Sequence, residues 1–158
     1  MFRNIYFLAL ILVSFSTIST ASASEPTKIG SYADWYAYYF LENGKKVCYM
    51  VSSPKTDESN YTRRGEIYTL ITHRPSENTR NVFSYISGYP YKQDSEVSVK
   101  IDGKKYKLFT YEETAWAPDS STDNSLASSV QKGSKMVVKG TSKRGTATTD
   151  TYSLKGSG

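Results

Sequence analysis

The sequence predicts an all-β domain, an antiparallel sandwich or barrel carrying one short helix. Three observations predict it. The chain holds 14 Tyr, 6 Phe and 2 Trp, and aromatic residues, like Val and Thr, favour pleated and half-buried surfaces. About nine short runs alternate apolar with polar residues, the period of a strand with one face buried. Between runs stand turn formers, among them Asn43-Gly44 and Asp102-Gly103, the strongest short-range hairpin signals.

The first 23 residues stand apart from that domain. Arg3 supplies a positive charge, residues 5–13 are almost wholly apolar, and Ala21-Ser22-Ala23 is a small-x-small exit. These are the three parts of a secretory signal. The apolar run falls short of the roughly 20 residues a spanning helix needs. Residues 1–23 therefore read as a cleaved signal peptide and Ser24 as the mature N-terminus. No Cys stands at the exit, which argues against a lipid anchor, and no later segment is apolar enough to span a bilayer. Residues 24–158 are one domain's worth of chain, long enough to bury a core. With Cys48 the single cysteine, no intrachain disulfide can form. Removing Arg3 takes the formal charge from +5 to +4, a modest basic balance that suits anionic surfaces without requiring them.

Residues 24–33 read as a short flexible lead. Residues 34–40 read as a strand, turned at Asn43-Gly44 into a return strand over 46–52. There Val47, Tyr49 and Val51 share one face, Cys48 and Met50 the other. Residues 53–64 read as a polar loop holding Pro54 and the pair Arg63-Arg64. Residues 66–73 alternate Ile67, Thr69 and Ile71 against Tyr68 and Leu70, and 74–79 form a loop around Pro75. Residues 81–89 set Val82, Ser84 and Ile86 against Phe83 and Tyr85. Pro90 ends the run because it cannot donate to a ladder.

Val97, Val99 and Ile101 lead into Asp102-Gly103. A two-residue turn there pairs Ile101 with Lys104, so Val97, Val99, Tyr106 and Leu108 share one face. A longer turn would slip the register and carry polar groups inward. The same register sets Lys100 opposite Lys105, an unfavourable like-charge pair. The helix follows Pro118, with N-cap hydroxyls in Ser120-Ser121-Thr122, Leu126 and Val130 on one face, and Gly133 at C′. Residues 136–141 and 146–154, joined by Ser142-Lys143-Arg144-Gly145, make the last hairpin.

Residues with catalytic capacity are few. His73 is the single histidine, and no nucleophile elbow marks a serine partner for it. It reads as a strand-end His with ordinary hydrogen bonds. Cys48 sits mid-strand and reads as a small buried hydrophobe. One Cys and one His leave no metal-ligand spacing. Glu112 and Glu113 are adjacent, so on a strand they diverge. No catalytic residue, cofactor or metal is expected. Trp35 and Trp116 are candidate glycan contacts by stacking, against the competing role of core packing. Lys100, Lys105 and Lys107 are a candidate contact for an anionic surface, against the competing role of a solvated face with Glu96 and Asp102 interspersed. Asn60-Tyr61-Thr62 matches the glycosylation acceptor pattern, which matters only where exported proteins are glycosylated.

The stretch from Gly133-Ser134-Lys135-Met136 through Gly140-Thr141-Ser142-Lys143-Arg144-Gly145-Thr146 to Thr151-Tyr152-Ser153-Leu154 resembles the invasion-associated locus B family of exported bacterial proteins. Asp34-Trp35, Lys46-Val47-Cys48-Tyr49, Thr72-His73-Arg74-Pro75, Gly88-Tyr89-Pro90-Tyr91 and Thr114-Ala115-Trp116 resemble it too. The resemblance spans almost the whole mature chain. It implies an immunoglobulin-like sandwich in a periplasmic or outer-surface protein of an alphaproteobacterium, with some members linked to host-cell entry. It carries over no catalytic residue. Family members often hold more than one Cys, so no disulfide is implied here. The family pattern continues past Leu154 into an aliphatic strand, which implies a truncated C-terminus and an exposed sheet edge.

The expected function is that of an exported, envelope-associated accessory protein, a non-catalytic interaction module. Its expected partners are cell-envelope components or a host surface, not nucleic acid, and the oligomeric state is left open. The alternatives are a glycan-binding module using exposed aromatics and, third, a hydrolase.

Overall fold

Both turns singled out above form hairpins. The computed structural model describes residues 22–158, and all but the last two residues of the run read as a secretory signal lie outside the described residues. In chain order the strands are β1 (Thr27–Tyr32), β2 (Trp35–Glu42), β3 (Lys45–Ser52), β4 (Thr56–Ser59), β5 (Tyr68–Arg74), β6 (Thr79–Ile86), β7 (Glu96–Ile101), β8 (Lys104–Tyr111), β9 (Thr114–Trp116), β10 (Lys135–Thr141) and β11 (Ala147–Ser153). The helix α1 (Ser120–Lys132) lies between β9 and β10, and a 3-10 turn, Pro75–Glu77, follows β5.

Every pairing is antiparallel, in the order β1-β2-β3-β5-β6-β9-β8-β7-β10-β11-β4. The fold class is therefore as expected: an all-β antiparallel sandwich with one helix. The two layers are continuous. β4 stands at the far end of the order, yet only residues 53–55 separate it from β3. The chain leaves β3, which pairs with β5, and crosses directly to pair with β11. Bonds between distant residues hold the seam. Trp35 Nε1 donates to the Ser153 carbonyl at 3.2 Å, and Asp34 N donates to the Lys155 carbonyl.

The core follows the predicted alternation. Ile67, Thr69 and Ile71, then Phe83 and Tyr85, then Val97, Val99, Ile101 and Leu108 are all buried. Met136 and Val138, paired with Ile101 and Val99 on the neighbouring strand, and Tyr152 beyond them belong to the same core. The helix lays Leu126 and Val130 into this core, and its Asp123 Oδ1 accepts the Phe83 N–H at 2.8 Å, tying it to β6.

Several local readings are corrected. Residues 24–33 are no flexible lead, because β1 pairs with β2. The polar loop of 53–64 contains β4, whose Thr56-Asp57-Glu58-Ser59 shows no alternation because it holds its place by backbone pairing to β11. The N-cap is Asp119, whose carboxylate accepts the Thr122 N–H at 2.7 Å, rather than a hydroxyl of Ser120-Ser121-Thr122. Gly133 ends the helix at φ −84°, outside the left-handed region. It is glycine because a Cβ there would stand 2.7 Å from the Ser129 carbonyl and 2.8 Å from Ile101 Cγ2. The edge expected beside the last strand is covered, since β11 has β10 on one side and β4 on the other.

Candidate functional site

The β7–β8 register is the predicted one: Lys100 opposes Lys105, and Lys107 opposes Ser98. All three lysines are exposed. The next strand adds a fourth, because Lys139 pairs with Ser98 on the same face. Lys107 bonds Glu96 at 2.8 Å, which holds its ammonium above the ordinary value. Lys100 and Lys105 have Val137 beside them instead.

The two tryptophans separate. Trp35 is 1% exposed and its N–H is bonded to Ser153, so it clamps the seam and presents no face to a sugar. Trp116 is half-buried on the outer surface of β9. Phe109 lies 5.9 Å away between ring centroids, and Tyr111 beyond it is 64% exposed.

Cys48 and His73 oppose each other across β3 and β5. Cys48 is half-buried rather than enclosed, because this end of the ladder opens toward solvent. His73 Nδ1 accepts the Asn81 N–H at 3.0 Å, a role only the unprotonated nitrogen can fill. Burial, then the Arg80 charge, lowers the imidazole pKa. A lowered folded pKa means that the unfolded chain binds the proton more readily. The contribution is therefore full above the ordinary value of 6.5 and is lost as pH falls below it. The urea midpoint is expected to drop between pH 7 and pH 5.5. His73→Asn, which keeps an acceptor near Nδ1 and cannot titrate, is expected to flatten that drop. An unchanged slope in the variant assigns the drop to other groups.

The structure also assembles a cleft that the sequence did not announce. It is open, about 780 Å³, and lined by residues 60–63, 88–90, 142–144 and Thr146. Three separated segments build it. Gly88 turns the chain out of β6 at φ +71°, and a Cβ there would stand 2.5 Å from the Gly65 carbonyl. The 142–145 turn is pinned where Lys143 N donates to the Pro90 carbonyl at 2.8 Å. On the floor, Tyr61 stacks on Tyr89 at 5.5 Å and 12°.

Beneath the floor lies a buried charge pair. Arg64 and Asp150 have side chains 6% and 0% exposed, joined by two bonds of 2.7 Å. Arg64 Nε donates to the Ser87 carbonyl at 2.7 Å. Its Nη2 donates to the Tyr85 hydroxyl, which in turn donates to Asp150. Burial opposes the Arg64 charge most, but Asp150 together with Tyr85 and Tyr89 holds the guanidinium above its ordinary value. The guanidinium also sits 5.0 Å from the Tyr89 ring centroid, and the Tyr89 hydroxyl bonds Thr148 Oγ1 at 2.6 Å. One signal for this cluster was in the sequence. Asp150 has the inward parity of Thr148 and Tyr152, and a buried carboxylate demands a cation.

Among the described residues, no group of three His, Cys, Asp or Glu side chains is placed to hold a metal. None of the described helices is long and apolar enough to cross a membrane.

The model of the Invasion associated locus B (IalB) protein family matches residues 36–158. The chain belongs to this family. No match stands among the curated proteins or the solved structures. The IalB span includes the four lysines, Trp116 and the whole cleft. Trp35 falls one residue before it.

Proposed function

We propose that this IalB-family chain is an exported, envelope-associated accessory protein that works as a non-catalytic interaction module. The observation that carries the reading is the exposed face of Lys100, Lys105, Lys107 and Lys139. Opposed lysines repel, and an anionic surface against them converts that cost into attraction. The partner chemistry is that of acidic headgroups or charged surface glycans of the cell envelope. Such contacts weaken with salt, because screening limits their reach to about 8 Å at physiological ionic strength.

The test is co-sedimentation with anionic vesicles at low salt. Replacing Lys100, Lys105 and Lys107 with Gln removes about 1 kcal/mol per lysine near such a surface. Lys107, already held by Glu96, contributes least. Affinity is expected to fall roughly 10- to 100-fold with the melting temperature unchanged. Equal binding by the variant and the parent makes the face a solubilising surface only.

Glycan binding is the second reading. Trp116 favours it, since its half-open indole beside Phe109 and Tyr111 is an aromatic surface of the kind that sugars stack on.

A further inference from the structure

We propose that the cleft over the Arg64–Asp150 pair is a binding site for an acidic saccharide, a sugar ring bearing a carboxylate or a phosphate. This site is separate from the lysine face and does not depend on it.

Charge is the first support. Arg63, Lys143 and Arg144 line the cleft, and no Asp or Glu is among the lining residues. Arg64 lies nearby but is neutralised by Asp150. The cleft therefore holds three cations around one opening, none of them in an ion pair among the described residues. Two are guanidinium groups, whose planar fork matches a carboxylate or phosphate.

Its floor is the second support. Tyr61 is half-buried and lies on Tyr89, whose ring is in turn set edge-on to Tyr91 at 5.3 Å. The upper ring presents one apolar face, suited to stacking against a pyranose. A nucleobase slot would hold two rings apart for a base to enter, but these two already stack on each other. Asn60, Thr62 and Thr146 at the rim add amide and hydroxyl groups that match sugar hydroxyls.

Preorganisation is the third. The Tyr89 ring is fixed by Thr148 and by the Arg64 guanidinium. The turn that carries Lys143 and Arg144 is closed by Gly145 N donating to the Ser142 carbonyl and Ser142 N donating to the Thr146 carbonyl. Little order remains to be imposed on binding. The volume lies within the about 300–1,000 Å³ of small-molecule sites.

The experiment is titration of the ¹⁵N-labelled protein, followed by amide shifts, with four probes. These are a galacturonic acid oligomer, a phosphorylated glucosamine disaccharide, a neutral galactose oligomer and inorganic phosphate. Saturable shifts confined to residues 60–63, 88–89 and 142–146 are expected with an acidic sugar. The oligomer alone assigns a carboxylate, the disaccharide alone a phosphate, and both assign the shared anion chemistry. Lys143→Gln with Arg144→Gln is expected to weaken binding at least tenfold at unchanged melting temperature. Separately, Tyr61→Ala, which also loses its packing on Tyr89, is expected to weaken it at least tenfold while the spectrum stays that of the folded protein. The Lys100, Lys105, Lys107→Gln variant is expected to bind the sugar like the parent, so this site and the vesicle contact fail independently. Equal binding of the neutral oligomer, the same shifts with inorganic phosphate alone, shifts on the β7–β8 face, or no shifts with either acidic sugar each overturns the proposal.

Discussion

Asp150→Ala is expected to destabilise the fold by about 3–5 kcal/mol. The carboxylate accepts two bonds from Arg64 and one from Tyr85, and all three donors lie inside the molecule. Truncation leaves a nearly buried guanidinium that has lost both bonds to its counter-charge and keeps only the Ser87 carbonyl and the Tyr85 hydroxyl. A buried, uncompensated charge costs far more than the intact pair contributes. The double variant Arg64→Met, Asp150→Leu removes both charges together and is expected to recover most of the loss. Guanidinium denaturation of the two variants measures it. A double variant no better than Asp150→Ala would mean that the loss comes from packing and not from a stranded charge.

Leu126→Ala carries the second large effect, about 3–5 kcal/mol. Leu126 is fully enclosed and, with Val130, supplies the apolar contact of α1. A helix of 13 residues is marginal alone in water, so it persists by docking on β6. Loss of the leucine leaves a cavity and loosens the anchor at once. Thermal unfolding gives the magnitude. Hydrogen exchange at the Phe83 amide, which bonds Asp123 on the helix, is expected to accelerate. Exposed Ser121→Ala, the control, is expected to stay within about 0.5 kcal/mol.

The sequence was most legible where a buried face alternates with a solvated one. The β7–β8 register followed from Val97, Val99, Tyr106 and Leu108, because one residue of slip would bury lysine. β5, β6 and the last hairpin followed for the same reason. β1 and β4 did not. Both are largely exposed edge strands, so no apolar period marks them and only backbone pairing makes them strands. Gly133 was placed in the right position for the wrong cause. Local preference suggested left-handed backbone, whereas the close approach of Ile101 and Ser129 requires the missing Cβ.

The candidate sites divide along the same line. The lysine face needed only one turn to place it. Trp35 and Trp116 looked alike in sequence, and only the seam between β2 and β11 decided that the first is enclosed. The cleft draws on residues near 61, 89 and 143, which no local pattern connects. Its one advance sign was a single aspartate with inward parity.

The seam also constrains the order in which the molecule can be built. Trp35 closes on Ser153 across 118 residues, and β4 waits for β11 as its partner. Contacts so distant in sequence form late and slowly, since a long loop must be closed before they are rewarded. A chain produced from its N-terminus can assemble the β2–β3 and β5–β6 hairpins early, but it cannot close the Trp35–Ser153 seam or pair β4 until residues 147–155 have been delivered. Until then β4 has no partner strand and the Trp35 N–H lacks its acceptor at Ser153. The length of chain in hand, more than the strength of any one hairpin, thus sets the moment at which this protein becomes folded.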